Sequence, residues 1–295
     1  MNRIALALAA LTFAACAQAA PLSYTDLLAR PRPQPTKVAS YGTAKEQMGE
    51  LFLPAGAGPH PVVVMIHGGC WQAELPGTEL MDYLSADLQK RGFAVWNVEY
   101  RRIASPGGGY PGTFQDIADG LDTLRGLAPA NALDLRKVVV VGHSAGGHLA
   151  LWAAARPRLP KTSPLYRKDP LPIAGVVSLA GIDDLAAYRA DGPAACGGPA
   201  TIDSLVGPAT ASHPDVYADT SPSALLPIGA RQLIVSGSLD HIVPTHFAAE
   251  YAAKAKAAGD DARALDIAGT GHFELIDPNS NAWKQIEPLI EAMIR

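Results

Sequence analysis

An α/β architecture, with a mostly parallel central sheet and helices on both of its faces, is predicted by three observations. Short apolar runs without polar alternation recur along the chain, among them Val62-Val63-Val64-Met65-Ile66 and Val138-Val139-Val140-Val141. Strands of that kind are buried on both faces, as parallel sheets require. Helical stretches separate these runs. Finally, the four valines lead into Gly142-His143-Ser144-Ala145-Gly146-Gly147 and an alanine-rich stretch, which reads as strand, sharp turn and helix in succession.

With 295 residues and 48% hydrophobic content, the chain can bury one large core. The net charge of −4 and the scattered lysines and arginines argue against nucleic acid as a partner, because phosphate contacts need clustered basic groups. The eight histidines lack the spacing of metal ligands, so no metal is expected. Nor is a cofactor: the glycine-rich Gly107-Gly108-Gly109-Tyr110-Pro111-Gly112 lacks the Gly-Lys-Ser/Thr of a phosphate loop.

Met1-Asn2-Arg3 and the apolar residues 4–15 have the form of an export signal, too short to span a bilayer. Cleavage after Ala17-Gln18-Ala19 is one route. Lipidation of Cys16 is the other, since Phe13-Ala14-Ala15-Cys16 resembles a bacterial lipobox with Phe13 where Leu is usual. The expected organisation is therefore a signal at 1–19, a proline-rich extended spacer at 20–46 and a catalytic domain at 47–295. A periplasmic, secreted or membrane-anchored protein follows. An oxidising compartment permits a bridge between Cys70 and Cys196, but two cysteines carry no spacing pattern, so whether they pair stays open.

The first marked strands are 47–53 and 61–67. The second runs into His67-Gly68-Gly69-Cys70-Trp71, where glycines let backbone N–H groups approach a substrate closely. Ester cleavage needs two donors aimed at the oxygen that becomes negative. They are assigned to the N–H groups of Gly69 or Cys70 and of Ala145, with His67 as a brace for the loop rather than a base. A helix at 80–91 and a strand at 93–100 follow, then Arg101 and Arg102 as an ion-paired edge near Glu99. Helix 113–127 carries Asp116 and Asp119 in its first turns, where they favour the dipole.

The helix after Ser144 brings unpaired N–H groups and a positive dipole end beside the hydroxyl. Residues 173–179 form the next strand, and 181–227 read as a modest loop-rich insertion over the mouth of the site. Without a long apolar lid helix, it points to small or soluble substrates. Asp240, just past strand 232–236, is the candidate acid, with Asp183 and Asp184 as rivals. His272, on a glycine-flanked loop after strand 262–267, is the candidate base, with His241 and His246 as competitors. An amphipathic helix at 283–294 closes the domain.

Over 47–295 the chain resembles the α/β-hydrolase superfamily, with Ser144, Asp240 and His272 in its nucleophile, acid, base order. His67-Gly68-Gly69-Cys70-Trp71 together with Gly142-His143-Ser144-Ala145-Gly146 is similar to the branch of esterases and kynurenine-formamidase-like enzymes that carry an HGGxW oxyanion loop. That resemblance implies a serine esterase acting on short-chain, acetyl or feruloyl-type esters, with an arylformamidase as the alternative. A non-catalytic binding protein that keeps the fold is the reading of another class. Trp71, Tyr110, Tyr188 and Phe273 are candidates for lining an aromatic-tolerant pocket.

Overall fold

The computed structural model describes residues 20–294; the expected signal segment and Cys16 lie outside the described residues. Among the described residues eight strands form one sheet: β1 (Lys37–Ser40), β2 (Met48–Phe52), β3 (His60–Ile66), β4 (Ala94–Val98), β5 (Leu133–His143), β6 (Gly175–Leu179), β7 (Arg231–Gly237) and β8 (Ala262–Ile267). Their spatial order is β1-β2-β4-β3-β5-β6-β7-β8. The β1–β2 and β2–β4 pairs are antiparallel and all others parallel. In the centre Val62 pairs with Val138, Val64 with Val140 and Ile66 with Gly142. Residues 62–66 and 138–141 are fully buried, because helices cover both faces of the sheet. The predicted α/β-hydrolase fold is the observed one.

Three differences from the sequence reading have identifiable causes. The proline-rich residues 20–46 are not an extended spacer. They form α1 (Tyr24–Leu28) and β1, and Leu27 is wholly buried. Long-range partners hold the segment: Arg30 grips Asp277 with two hydrogen bonds of 2.6 and 2.9 Å, and Arg32 reaches Glu50 and Asp82. Composition alone does not register contacts to residues so far along the chain.

The predicted helix at 113–127 is broken after Asp122 into α3 (Gly112–Asp122) and α4 (Leu124–Asn131). Side chains capture carbonyls in the last turns of α3: Arg156 donates to Ala118 O at 2.9 Å and Trp96 to Gly120 O at 2.8 Å. Asp116 also does more than favour a dipole. It is fully buried and accepts the backbone N–H and guanidinium of Arg101, tying the end of β4 to α3, itself reached after α2 (Asp82–Lys90).

The insertion at 181–227 contains two helices, α6 (Leu185–Asp191) and α7 (Pro199–Val206). Both follow α5 (Ala145–Ala155) in the chain. Asp184 caps α6 by accepting from Ala187 N, and α7 buries Ile202, Leu205 and Val206 at helical spacing. The chain ends with α8 (Thr245–Ala257) and α9 (Trp283–Ile294). None of the helices among the described residues is long and apolar enough to cross a membrane.

Candidate active site

Ser144 stands between β5 and α5 with φ 55° and ψ −122°, a conformation that L-residues rarely adopt. Its N–H donates to Leu179 O at 2.8 Å, which pins the turn to the neighbouring strand β6. Room for so sharp a turn exists only because the flanking residues lack side chains. A Cβ on Gly142 would come within 1.9 Å of Gly146 O, and one on Gly146 within 2.1 Å of Ile66 O. Both contacts are with backbone, so nothing can yield.

The loop expected to bind the oxyanion packs directly on this turn, where a Cβ on Gly68 would come within 3.1 Å of Ser144 Cβ. Gly69, Cys70 and Trp71 have φ of 98°, 49° and 54°, a run of left-handed residues that curls the backbone after β3. Gln72 N closes the curl on Gly69 O at 2.8 Å, and Ile103 N holds Trp71 O at 2.7 Å. Among the described residues the N–H groups of Gly69, Cys70 and Ala145 have no backbone acceptor, which leaves them available to an oxyanion.

His67 takes the bracing position. Its ring is buried and stacked on Tyr100 at 4.4 Å, with Nδ1 2.8 Å from Gly68 O and Nε2 2.9 Å from Glu99 Oε1. Burial pushes the Glu99 carboxyl up, but His67, Arg102 and the Tyr100 N–H outweigh it and bring its pKa down to about 2. The loop is thereby tied to an ionised carboxylate at the end of β4.

Cys70 and Cys196 are joined by a disulfide with a Cα–Cα distance of 5.3 Å, a pairing that the sequence left open. Their separation of 126 residues explains why spacing gave no sign of it. The bridge ties an oxyanion-loop residue to the insertion, whose Ala195 lines the same cavity. Reducing it with a membrane-permeant phosphine and capping both thiols is expected to lower kcat about tenfold. That is part of the 10²–10³ that loss of one oxyanion donor costs. Circular dichroism should show the fold retained. An unchanged kcat in the capped protein would mean that the loop holds its shape without the bridge.

Of the three candidate acids only Asp240 meets His272. Asp240 Oδ2 accepts from His272 Nδ1 at 2.6 Å, while Oδ1 accepts from Ile242 N at 2.8 Å and Val243 N at 2.9 Å. The acid and base loops are stitched together by Leu239 N on Thr270 O and Gly269 N on Ser238 Oγ, each 2.8 Å. Asp183 is buried elsewhere, where loss of solvent raises its pKa to about 7 despite a hydrogen bond from Ser178. Asp184 caps α6 and pairs with Lys254. His241 and His246 make no hydrogen bond to Asp240.

Ser144 and His272 open onto one cavity of about 320 Å³, together with Gly69, Cys70, Leu75, Pro76, Leu80, Ile242 and Phe273. His143, also on its wall, was missed by sequence reasoning. Its Nε2 donates to His272 O at 3.1 Å and its ring lies 4.4 Å from that of His272. Burial, and then the His272 ring, hold its pKa well below the usual histidine range, so it supports the base loop as a neutral imidazole.

Of the four expected pocket aromatics, only Phe273 lines this cavity. Trp71 is wholly buried, edge-on to His148 at 5.4 Å. Tyr110 stacks on His213 at 4.5 Å and donates to Asp219. Tyr188 is core, its hydroxyl donating to Ile242 O at 2.8 Å. Large rings bury most surface inside the core; Trp71 and Tyr188 do so, and Tyr110 packs half-buried against it. Two lining residues that the sequence reading assigned to a spacer, Ser23 and Tyr24, take their place.

A serine on a strained strand–helix turn, a histidine hydrogen-bonded to a buried carboxylate and backbone donors without a backbone partner among the described residues form, around one cavity, a site of α/β-hydrolase type. The model of the BD-FAE family, an α/β-hydrolase-type esterase family, matches residues 50–254, and the chain belongs to that family. Among solved structures, esterase B from Lactobacillus rhamnosis superimposes with a TM-score of 0.75 at 18% identity, over 92% of this chain and 89% of that one. A truncated carbohydrate esterase from gut microbiota gives 0.71 at 19% identity, over 89% and 98%. A curated non-reducing polyketide synthase of Stereocaulon alpinum is 32% identical over 124 residues, 37% of this chain. The chain spans about one twentieth of the length of the curated relatives it matches.

Proposed function

We propose that the protein hydrolyses carboxylic esters of small, soluble substrates through an acyl-enzyme at Ser144, taking short-chain, acetyl or feruloyl-type acyl groups. The 2.6 Å contact of His272 Nδ1 with Asp240, on a wall shared with Ser144, carries this reading. Membership of an esterase family supports the bond class.

In the proposed reaction Ser144 Oγ attacks the ester carbonyl carbon as its proton passes to His272 Nε2. Asp240 holds the imidazole with its proton on Nδ1 and stabilises the cation that forms. The N–H groups of Cys70 or Gly69 and of Ala145 bind the oxyanion. The bond to the alcohol then breaks as His272 gives its proton to the leaving oxygen. Water attacks the acyl carbonyl, its proton passes to His272, and return of that proton to Ser144 Oγ releases the acid.

The proposal includes export, by signal cleavage or by lipidation of Cys16 with membrane anchoring. The Cys70–Cys196 bridge supports it, because such bonds persist in oxidising compartments.

The test is a panel of p-nitrophenyl esters from acetate to octanoate, methyl ferulate and N-formylkynurenine, with fluorophosphonate labelling in parallel. Labelling and turnover of the shorter esters are expected, with little formamide cleavage. A preference for N-formylkynurenine would replace the reading with arylformamidase. Neither labelling nor turnover would leave a binding protein on this fold.

A further inference from the structure

The segment expected to act as a spacer forms part of the catalytic cavity. Ser23 and Tyr24, at the start of α1, line it beside Ser144, His272 and Phe273. The Tyr24 ring meets Phe273 edge-on at 5.8 Å, and Phe273 meets His272 and His143 at 5.0 and 5.7 Å. One wall of the cavity is thus aromatic, and Leu75, Pro76, Leu80 and Ile242 supply an aliphatic one. At about 320 Å³ the space sits at the small end of the roughly 300–1,000 Å³ usual for ligand pockets.

Tyr24 is a large apolar residue that the fold leaves 37% exposed, and its hydroxyl makes no hydrogen bond among the described residues. Its own packing does not require it there. The helix that carries it is nevertheless firmly held. Leu22 N donates to Glu274 at 2.6 Å, Ser23 and Asp26 form a reciprocal cap, Leu27 is buried, and Arg30 pairs with Asp277. Tyr83 donates to Arg30 O at 3.0 Å. A rigid mounting for an otherwise unemployed ring is what a pocket wall needs.

We propose that α1 is a fixed strap over the catalytic cavity and that Tyr24 is a specificity-determining residue. Together with Phe273 it forms an aromatic wall that holds a flat aromatic group of the ester substrate. The proposal rests on the esterase reading above and assigns it a residue from outside the sheet and its catalytic loops. An aliphatic ester too short to reach the wall does not depend on Tyr24; an aromatic one does.

The experiment compares wild type, Tyr24→Ala and Tyr24→Phe on methyl ferulate, phenyl acetate and ethyl butyrate. For Tyr24→Ala, KM for at least one aromatic ester should rise about fivefold to tenfold with kcat within twofold, the effect of losing one aromatic contact. Ethyl butyrate should change less than twofold. Tyr24→Phe keeps the ring and should remain close to wild type. Equal losses on all three esters, or no loss on either aromatic one, would overturn the proposal while leaving the esterase reading intact. No turnover of any ester by wild type would instead overturn that reading. Loss in Tyr24→Phe equal to that in Tyr24→Ala would shift the role from the ring to the hydroxyl and overturn the aromatic wall.

Discussion

Ser144→Ala should lower kcat on p-nitrophenyl acetate by roughly 10⁵–10⁶ and abolish fluorophosphonate labelling, with unfolding free energy within about 0.5 kcal/mol of wild type. The size of the loss follows from what Ser144 supplies. It is the nucleophile of the proposed acyl-enzyme, so its removal leaves only the oxyanion donors and substrate binding, which retain roughly 10³–10⁴ over water in comparable sites. Stability is spared for a separate reason. The strained turn depends on Gly142, Gly146 and the bond from Ser144 N to Leu179 O, and alanine keeps all three. Ser144 Oγ makes no hydrogen bond within the described residues, so deleting it orphans no buried partner. Steady-state kinetics with a calorimetric scan checks both halves. Activity within tenfold of wild type would remove Ser144 from the nucleophile's position.

How much of this site was readable from the chain depends on where each constraint resides. The elbow was legible because its chemistry is local: Gly142, Ser144 and Gly146 must follow one another for the backbone to turn at all. Asp240 and His272 were legible through their positions just after strands, although only the fold brings the two together. The Cys70–Cys196 bridge was not legible, since its partners meet through the packing of an insertion against the oxyanion loop. Nor was the docking of α1. Arg30, Arg32 and Leu27 look unremarkable among prolines, and their meaning comes from Asp277, Glu50 and Asp82 far along the chain. The pocket aromatics misled for a related reason. Proximity in sequence to a catalytic residue suits Trp71 as well as Phe273, but burial places Trp71 behind the loop and Phe273 on the cavity wall.

Asp240→Asn should reduce kcat by about 10⁴ without unfolding the protein, an effect of proton placement rather than of lost charge alone. Asp240 Oδ1 accepts from two backbone N–H groups, of Ile242 and Val243. An asparagine must keep its carbonyl oxygen there, since an amide NH₂ in that position would face two donors. Its NH₂ is then forced toward His272 Nδ1, where the carboxylate now accepts at 2.6 Å. Two donors cannot share that contact, so Nδ1 becomes the acceptor and the ring proton moves to Nε2. That nitrogen can no longer take the proton of Ser144. The rival carboxyl of Asp183 provides the control. Burial raises the Asp183 pKa to about 7, so its carboxyl already loses part of its charge near neutral pH, and a neutral asparagine of the same shape fits there. Its kcat should remain within about threefold of wild type. A loss in Asp183→Asn comparable with that in Asp240→Asn, or an Asp240→Asn variant within tenfold of wild type, would transfer the acid's role away from Asp240. The hydrogen-bond pattern leaves no other arrangement, because among the described residues His272 Nδ1 has Asp240 Oδ2 as its one partner and Asp240 Oδ1 has no lone pair to spare for it.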